Sequence, residues 1–344
     1  MSELLEHPTP LSASLAGPIE VGEADVAGPL AVYPLFGPEA KLDYAAFASS
    51  QGQVAITELE GGASVNDLLV TNEGSTAVLL YEGEEILGAQ QNRVLDISIL
   101  VSAGSKTQIP VSCVEQGRWD GRRHRERFRA SPQAADPRMR KLKNKRARMN
   151  AAAGMEARAD QGEVWNEVAQ RSTEMAAHSP TGAMHDIYEN HRNRLGRIRN
   201  GIGLHEGQCG SVAVIDGKIA ILDFVGRPDV YSTLQPAILE GYALDALGRE
   251  RSSDGAEPEP IDIGTVRGFT LLACDSPAAS RAPNPGLGET VRFAANGVEG
   301  SALIADGEMV QMTAFPTDAD DDGSEVSPGR PAGRINRPSH RRGR

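Results

Sequence analysis

The stretch LLYEGEEILGAQQNRVLDISILVSAGSKTQIPVSCVEQGRW, residues 79–119, decides the fold prediction for this chain. Apolar runs at 76–81 and 93–101 flank the polar segment EGEEILGAQQNR. A third strand-like run, 106–114, leads directly into Glu-Gln-Gly-Arg-Trp at 115–119. Polar residues thus gather where strands should end, and such positions on a rigid sheet are where binding and catalytic residues concentrate. We therefore expect a functional site beside these strand ends.

Alternation within 93–101 favours an antiparallel sheet. One face would carry Leu95, Ile97, Ile99 and Val101, and the other would carry Asp96 and Ser98. Such alternation is typical of a sheet with one buried face and one polar face. The predicted fold class is therefore α+β, with an antiparallel β-rich, sandwich-like core in two halves and a helical insertion.

Composition divides the chain into five segments. Residues 1–26 are rich in Pro, Gly, Ser and Ala, which predicts a disordered lead. An N-terminal β-rich half follows at 27–120, then a basic and helical insertion at 121–206 and a C-terminal β/α half at 207–316. The acidic and then Arg/Pro/Gly-rich stretch at 317–344 predicts a disordered tail.

Local signals place individual elements along the chain. Asp136-Pro137 and Ser179-Pro180 should begin two helices of the insertion, because Asp and Ser cap helices and Pro fits the first turn. The first of these helices should pack through Met139, Leu142, Arg146 and Met149. Hairpin turns are predicted at Asp216-Gly217, Asn296-Gly297 and Asp306-Gly307. Residues 265–273 alternate weakly, which predicts a strand.

Bulk composition narrows the class of protein. The 344 residues are 40% hydrophobic but only 4% aromatic, so the chain can bury a core, which must be mostly aliphatic. A formal net charge of −12 argues against a surface devoted to nucleic acid. Cys113, Cys209 and Cys274 are odd in number and far apart, which favours a reducing compartment. No apolar run approaches the ~20 residues that span a bilayer. We therefore predict a cytoplasmic protein with no membrane contact.

Three carboxylates, Glu82, Glu84 and Glu85, lie within four positions of one another. Bunched carboxylates can raise one another's pKa values and supply a general acid and a general base, or they can bind a hard cation. The alternative is a solvated turn. Apolar neighbours such as Leu80 and Ile86 favour an inward position for at least one glutamate. We take Glu84 and Glu85 as catalytic candidates.

Gln91, Asn92 and Arg93 follow as ligand-binding candidates. Arginine offers a bidentate fork and the amides offer donors and acceptors together, which suits carboxylates, phosphates or planar ligands. The alternative is a salt bridge from Arg93 to Glu84 or Glu85 that holds the loop shut. The two roles are compatible.

The end of the third predicted strand adds Glu115, Arg118 and Trp119. An acid, a cation and a stacking face together suit a nucleobase or a sugar. We take Glu115 as a catalytic candidate and Arg118 and Trp119 as ligand-binding candidates, with sealing of the sheet edge as the alternative for the tryptophan. Cys113 is in phase with the apolar face of its strand, so it is predicted to be a small core residue.

His185 is the remaining ligand-binding candidate. It lies just after the Ser179-Pro180 signal, and helix N-termini receive anions. The histidines show no zinc signature, so no metal site is predicted, and the sequence names no cofactor. The cations between Arg118 and Arg148 could bind a polyanion, but without a base-reading motif we prefer a solvated helix face with counter-charges elsewhere.

Five motifs of the chain resemble one family. They are GEEILGAQQNR (83–93), IPVSCVEQGRW (109–119), ADQGEVWNEVA (159–169), SPTGAMHDIYE (179–189) and the terminal PGLGE…GSALIADGEMVQMTAFP. The family is the domain associated with ADP-ribosylglycohydrolases and rhodanese-phosphatases, and the resemblance covers about residues 27–316. It implies no assigned activity. The neighbours in its name imply NAD-derived nucleotides, ADP-ribose or phosphoesters as ligands, and a partner enzyme.

Two functional hypotheses follow, and whether the chain is an enzyme is left undecided. In the first, glutamates supply acid and base, Arg93 and Arg118 hold phosphate, and Trp119 stacks on a base. In the second, a non-catalytic module senses such a small nucleotide-like ligand, or docks a partner enzyme through the helical insertion. The lack of a strong nucleophile or metal motif favours the second.

Overall fold

The structure is a computed structural model that describes residues 9–62, 64–250, 261–295 and 297–317. Parts of the predicted lead and tail, 1–8 and 318–344, lie outside the described residues, as does Asn296 of one predicted turn.

The described residues form eighteen strands and six α-helices. The strands are β1 (Glu20–Val21), β2 (Asp25–Ala27), β3 (Leu30–Phe36), β4 (Tyr44–Ala46), β5 (Val54–Thr57), β6 (Asp67–Asn72), β7 (Ala77–Leu80), β8 (Glu84–Leu87), β9 (Arg93–Leu95), β10 (Ile99–Val101), β11 (Lys106–Cys113), β12 (Arg129–Ala134), β13 (Gln208–Ile215), β14 (Lys218–Val225), β15 (Ser280–Pro283), β16 (Glu289–Ala295), β17 (Val298–Ala305) and β18 (Glu308–Pro316). The helices are α1 (Phe47–Ser50), α2 (Pro137–Ala152), α3 (Gln161–Glu174), α4 (Met184–Arg199), α5 (Pro228–Glu250) and α6 (Ile263–Asp275). Short 3-10 helices lie at Leu11–Ser14 and Gly121–Arg123.

The largest sheet has nine strands in the order β1-β3-β13-β14-β18-β17-β16-β15, with β2 paired to β3. Strand β3 of the predicted N-terminal half pairs with β13 of the predicted C-terminal half, so the two halves share one sheet. The predicted hairpin turns at Asp216-Gly217 and Asp306-Gly307 are confirmed. All four residues have positive φ, as the tight turn that matches strand twist requires.

Two smaller sheets hold the segments around the expected site. A six-stranded sheet has the order β12-β8-β9-β11-β6-β5, and a three-stranded sheet has the order β10-β7-β4. The β4–β7 pair is parallel, and the other strand pairs of the described residues are antiparallel. The predicted fold class, α+β with an antiparallel β-rich core, is confirmed.

The stretch that decided the fold prediction differs from expectation in two places. The predicted polar loop after Tyr81 contains strand β8, whose four residues are all buried. The single strand predicted at 93–101 is two strands, because β9 joins the six-stranded sheet and β10 joins the three-stranded sheet. Leu100 is as deeply buried as Ile99 and Val101, so β10 is covered on both faces.

Residues 265–273 form part of helix α6 and not the predicted strand. The buried residues of this helix are Val266, Phe269, Thr270, Ala273 and Cys274. Their spacing follows the i, i+3, i+4, i+7 pattern of a helix with one buried face. The strand prediction, which rested on a weak two-residue alternation, is therefore wrong, because the buried residues follow the helical period.

Part of the predicted disordered lead has regular structure. Leu11 is completely buried and its backbone N–H donates to the Ser276 carbonyl at 3.2 Å. Strand β1 pairs with β3 through Val21, which is also buried. These apolar anchors explain why residues 9–26 pack on the nine-stranded sheet despite a composition rich in Pro, Gly, Ser and Ala.

One of the two predicted helix starts is confirmed. The Asp136 carboxylate accepts hydrogen bonds from the backbone N–H groups of Arg138 and Met139, so it caps α2 as expected. Helix α4 instead begins at Met184, after the Ser179-Pro180 signal. Ser179 Oγ accepts from the Ala183 N–H at 2.7 Å and donates to Asp186, so it organises the turn that precedes the helix.

Helix α2 buries charged and polar side chains, which corrects the expected apolar face. Lys143 Nζ lies 2.8 Å from Asp96 Oδ1, and Asn144 donates to Ser301 Oγ at 2.9 Å. Of the residues predicted to pack, Met139 is buried, whereas Leu142, Arg146 and Met149 are only partly buried. Buried charges persist when they are paired and hydrogen-bonded, so the helix is held by ionic contacts to the sheets.

The central contact of α2 is between Arg140 and Asp223 of β14. Arg140 Nη1 and Nη2 donate to Asp223 Oδ2 and Oδ1 at 2.9 and 2.7 Å, and both side chains are almost completely buried. The hydroxyls of Tyr81 and Tyr242 donate to the same carboxylate, and Arg140 Nη2 also donates to Thr313 Oγ1. This network ties α2 and α5 to the sheets, and it fixes the chain just before β8.

Candidate functional site

Three sequence motifs meet at the end of β11. The backbone N–H of Met184 donates to the Val114 carbonyl at 2.8 Å, and that of Gly117 donates to the Thr181 carbonyl at 2.7 Å. Glu115 and Ala183 form an isolated β-bridge. Backbone hydrogen bonds therefore join the segment before α4 to the residues that follow β11. The amides before β9 reach the same place, since Gln91 Nε2 donates to the Glu115 carbonyl at 2.8 Å.

Glu115 and Arg118 lock this meeting point, which we call the motif junction (Gln91, Asn92, Glu115, Arg118 and Thr181). Arg118 Nε lies 2.8 Å from Glu115 Oε1, and its Nη2 lies 2.6 Å from Glu115 Oε2. The Asn92 N–H and the Thr181 hydroxyl also donate to the Glu115 carboxylate. Burial opposes ionisation of Glu115, but these donors hold its pKa below the ordinary value.

The same bonds define what Glu115 and Arg118 can do. Arg118 Nη1 donates to the Ala89 carbonyl at 2.7 Å, and Nη2 also donates to Asn92 Oδ1 at 3.0 Å. Its donors are thus engaged by the protein, so the arginine expected to hold phosphate closes the motif junction. Glu115 is ionised and saturated with donors, which suits a structural role better than that of a general acid.

Glu85 and His185 form a carboxylate–imidazole pair. Glu85 Oε2 lies 3.4 Å from His185 Nδ1 and accepts hydrogen bonds from Ser131 Oγ at 2.8 Å and Gln133 Nε2 at 2.6 Å. Burial raises the pKa of Glu85, and contact with Glu85 raises the pKa of His185. Glu85 is buried, whereas the His185 side chain is 23% exposed. The pair therefore has a buried carboxylate behind a solvent-reachable imidazole.

The three bunched carboxylates do not act on one another. Glu82 Oε1 lies 3.4 Å from Arg140 Nε, whereas Glu84 Oε2 accepts the Tyr81 N–H at 2.7 Å. Adjacent strand residues point to opposite faces, so Glu84 and Glu85 diverge. Burial is the largest cause that raises the pKa of each, to about 7 for Glu84. Repulsion among the three carboxylates, which the sequence analysis expected to raise these pKa values, is not the main cause.

Arg93 is completely buried beside Glu58, a residue that the sequence analysis did not single out. Arg93 Nη2 and Glu58 Oε1 are 3.9 Å apart, and the predicted alternative of a salt bridge to Glu84 or Glu85 does not form. Nη1 donates to the Asn92 carbonyl at 3.3 Å. Nε and Nη2 have no hydrogen-bond partner among the described residues. Burial lowers the pKa of Arg93, and it raises that of Glu58.

Two glutamine oxygens share this lack of partners. Gln90 Oε1, Gln91 Oε1 and Glu58 Oε2 are buried without a hydrogen bond from any described residue. Gln90 Nε2 lies 2.9 Å from His124 Nδ1 and Gln91 Nε2 bonds to the motif junction, so only the acceptor ends are unused. We call Glu58, Gln90, Gln91 and Arg93 the buried polar cluster. Unpaired buried polar groups are rare and point to missing water or ligand.

The buried polar cluster and the Glu85–His185 pair lie on different sides of the sheet. Glu85 is opposite Val94, whereas Arg93 is opposite Ile86 on β8 and Cys113 on β11. Residues directly opposite in neighbouring strands share a face. The nine predicted site residues therefore do not surround one hollow. The motif junction joins two separate polar regions, one on each face of the six-stranded sheet.

Cys113 and Trp119 differ in their surroundings. Cys113 is a free, buried thiol whose pKa is raised by burial, in keeping with the expected core role. Trp119 is 37% exposed. It directly follows Arg118 of the motif junction in sequence, and part of its side chain is accessible to solvent.

The basic segment is largely neutralised by carboxylates from other elements. Arg138 pairs with Glu167 and Glu174, and Arg146 pairs with Glu163. Arg148 Nη2 lies 2.7 Å from Glu299 Oε2. Counter-charges elsewhere in the protein thus accompany these cations, as the preferred interpretation of this segment expected.

Within the described ranges, no group of three or more His, Cys, Asp or Glu residues is placed to hold a metal ion. A search of the same ranges finds no helix with the length and apolar character needed to cross a bilayer.

Several site residues were missed by sequence reasoning because their partners are distant. Glu58 directly follows strand β5, which carried no motif, and Ser131 and Gln133 lie in a stretch treated only as basic. Thr181 was inside the quoted motif SPTGAMHDIYE, so a polar residue near the helix start was the one available signal. The other missed residues are defined only by contacts with partners that are distant in sequence.

The fold and the motif junction define an α+β protein with two polar regions around one six-stranded sheet. The chain belongs to the family described as the ARG and Rhodanese-Phosphatase-superfamily-associated Protein domain, ARPP-1, which matches residues 18–315. This confirms the resemblance drawn from the motifs. No curated protein and no solved structure matches the chain.

Proposed function

We propose that this protein binds an NAD-derived nucleotide such as ADP-ribose, or a related phosphoester, at the buried polar cluster. The observation that carries the proposal is the unused edge of Arg93. Its Nε and Nη2 atoms are buried without hydrogen-bond partners, and together they form the fork that receives two oxygens of a phosphate or carboxylate. A buried guanidinium without such a partner is costly, so an oxyanion there stabilises the fold.

The rest of the buried polar cluster complements a nucleotide more than a bare anion. Gln90 Oε1 and Gln91 Oε1 are acceptors without donors. Ribose hydroxyls and exocyclic amines are donors of the kind that such oxygens take. Glu58 lies beside the fork and would favour a ligand that brings hydroxyl protons as well as phosphate oxygens.

We propose that ligand reaches the buried polar cluster past His124. Gln90 Nε2 and His124 Nδ1 are 2.9 Å apart, and His124 is partly exposed at the end of the 3-10 helix Gly121–Arg123. Arg123 and Glu126 pair with each other nearby in sequence. We expect this short segment to move when ligand enters, and Trp119 just before it to stack on the base.

Binding is better supported than chemistry at this cluster. Burial raises the pKa of the Cys113 thiol, which disfavours the thiolate that a nucleophile needs. Glu115 is held ionised by four donors and has no role left as an acid. The second hypothesis of the sequence analysis, a ligand-sensing module, is therefore the one that we adopt.

A second candidate function is acid–base catalysis by His185 and Glu85. The buried carboxylate lies 3.4 Å from the imidazole, which is partly exposed. A carboxylate that orients a histidine is a recurrent arrangement for general acid–base catalysis. The association in the family name, with ARG and rhodanese-phosphatase proteins, also supports a partner enzyme that would act on the same class of ligand.

The test is a thermal-shift and calorimetric titration of the full chain with ADP-ribose, NAD, AMP and inorganic phosphate. The informative variant is Arg93→Lys, which keeps the positive charge and removes the fork. Losing one charge-assisted contact of about 1.5–3 kcal/mol should weaken binding roughly 10- to 100-fold. Arg122→Lys is the matched control, because Arg122 lies in the 3-10 helix Gly121–Arg123 and its side chain is 94% exposed.

We expect one nucleotide to stabilise the wild type and Arg122→Lys alike, while folded Arg93→Lys binds it poorly. Chromatography of the ligand after incubation separates binding from turnover. Consumption that disappears in His185→Gln supports the second candidate. If no nucleotide stabilises the wild type, or if Arg93→Lys binds as tightly, the proposed function is wrong.

A further inference from the structure

A cleft of about 310 Å³ opens between the six-stranded and nine-stranded sheets. Its walls come from β6 and β11 on one side, from β15 and β16 on the other, and from the segment that precedes α3. Among the lining residues are Asp67, Gln108, Glu156, Arg158, Thr290 and Arg292. None of them belongs to the motif junction or to the buried polar cluster.

Arg292 is the unusual member of this lining. It is 5% exposed, and within the described ranges its side chain makes no hydrogen bond or ion pair. Burial lowers its pKa, and the charge of Glu82 opposes that effect without a direct contact. A buried guanidinium normally has carboxylate or carbonyl partners, because removal from water is expensive for a charged group.

The other charges of the cleft are already satisfied. Arg158 Nη2 lies 2.7 Å from Asp67 Oδ1, and its Nε lies 2.6 Å from Glu156 Oε1. Arg158 Nη1 donates to the Asn66 carbonyl at 2.9 Å. Arg158 thus pairs with both acids of the lining. Arg292 remains as the cation of the lining that no carboxylate of the described residues approaches within ion-pair distance, with the Gln108 amide in the same lining.

The geometry points to a second ligand site in this cleft, for a small molecule that presents a carboxylate or phosphate group to Arg292. An arginine fork receives the two oxygens of either group in the same way. The cleft is in the size range of small-molecule sites, which are concave and have a few fixed polar groups. The paired Arg158 side chain shapes the opposite wall and contributes no free charge.

The experiment uses acetate and methylphosphonate as probes for the two oxyanion sources. Binding to the full chain is followed by saturation-transfer NMR of the probe methyl groups and by the shift in melting temperature. Arg292→Met is the test variant. Arg281→Met is the matched control, because Arg281 lies on the neighbouring strand β15, is paired with Glu289 and does not line the cleft. Arg93→Lys removes any contribution from the buried polar cluster.

Saturable binding of at least one probe is expected in the wild type, Arg281→Met and Arg93→Lys. Arg292→Met should lose that signal and its anion-dependent rise in melting temperature, with binding weakened about 10- to 100-fold. Without anion, Arg292→Met should melt at or above the wild-type temperature, because an unpaired buried charge has been removed. A purely structural arginine predicts a lower melting temperature instead.

Two results would overturn the inference. One is the absence of a saturable response to both probes in the wild type, which needs no variant to fold. The other is a response that survives in Arg292→Met. A response that is lost only in Arg93→Lys would assign the anion to the buried polar cluster, and the cleft would then have no ligand of this class.

Discussion

Arg93 and Glu58 lie side by side in the interior, with Nη2 and Oε1 3.9 Å apart, both side chains completely buried and no hydrogen bond between them. A buried ion pair without good geometry stabilises little, whereas removal of one partner leaves a bare charge. Glu58→Gln should therefore lower the free energy of unfolding by about 3 kcal/mol. Urea denaturation at neutral pH measures it.

The double variant Glu58→Gln/Arg93→Met sharpens this prediction. With both charges gone, the stability should return to near the wild-type value, because replacing a poorly paired buried pair by neutral groups is often harmless. Additive losses in the double-mutant cycle would show that the two side chains stabilise the fold independently, contrary to the relationship described above.

Glu84 predicts a specific dependence of stability on pH. Burial raises its pKa to about 7 in the folded protein. The folded state thus holds this proton more tightly than the unfolded state. The stabilisation that comes from protonated Glu84 is therefore complete below the unfolded pKa of ~4.3. It is lost as pH rises through about 7. Glu84→Gln should remove this slope and be more stable than wild type at pH 8 by about 3 kcal/mol.

Denaturant titrations of wild type and Glu84→Gln between pH 4 and 8 check this prediction. Glutamine can still accept the Tyr81 N–H, so the control for lost hydrogen bonding is built into the substitution. A stability difference that does not change with pH would mean that Glu84 is ionised throughout in the folded state.

The Glu85–His185 pair can be tested through the histidine. Contact with Glu85 raises the pKa of His185 above its ordinary value, so Glu85→Gln should lower that pKa. The raised pKa contributes stability below the unfolded value of ~6.5 that is lost as pH rises through the folded value. NMR titration of the imidazole signals in both proteins measures the shift.

An unchanged His185 pKa in Glu85→Gln would show that Glu189, 3.8 Å from His185 Nε2, sets its charge instead. The pair would then have no special orienting carboxylate, and the second candidate function would lose its basis.

Glu115→Gln should open the motif junction. The variant removes the charge that receives Arg118 and leaves part of a largely buried guanidinium unpaired, which should lower the free energy of unfolding by about 2 kcal/mol. Because the pKa of Glu115 is depressed, its contribution is present above the unfolded value and lost as pH falls through the folded value. Urea denaturation should therefore give a larger difference at pH 7 than at pH 3.

Sequence patterns were informative where a local rule decides the structure. The Asp136 cap follows from short-range backbone chemistry, and so do the two Asp-Gly hairpin turns at 216 and 306. The motifs also marked segments that do meet, since Gly117 bonds to Thr181 and Gln91 to Glu115.

Sequence patterns failed where tertiary partners override local preference. Helix α2 buries Arg140 and Lys143 because they pair with Asp223 of β14 and with Asp96 in the bend after β9, and no hydrophobic period predicts such pairs. Glu58 and Arg93 are distant in sequence, and the six-stranded sheet that contains β5 and β9 brings them together. The sheet face on which each candidate residue lies depends on strand register. The register could not be predicted, because the run 93–101 divides after Leu95 into two strands that join different sheets.

The most direct test of the central claim observes the Arg93 fork itself. In the full chain labelled with ¹⁵N-arginine, the Arg93 Nε–H signal, assigned by its loss in Arg93→Lys, is followed while ADP-ribose is added. We predict a saturable downfield shift with the same midpoint as the calorimetric titration. A signal that stays unchanged while ADP-ribose binds elsewhere, or in the absence of any binding, would contradict the claim that this buried arginine receives the ligand.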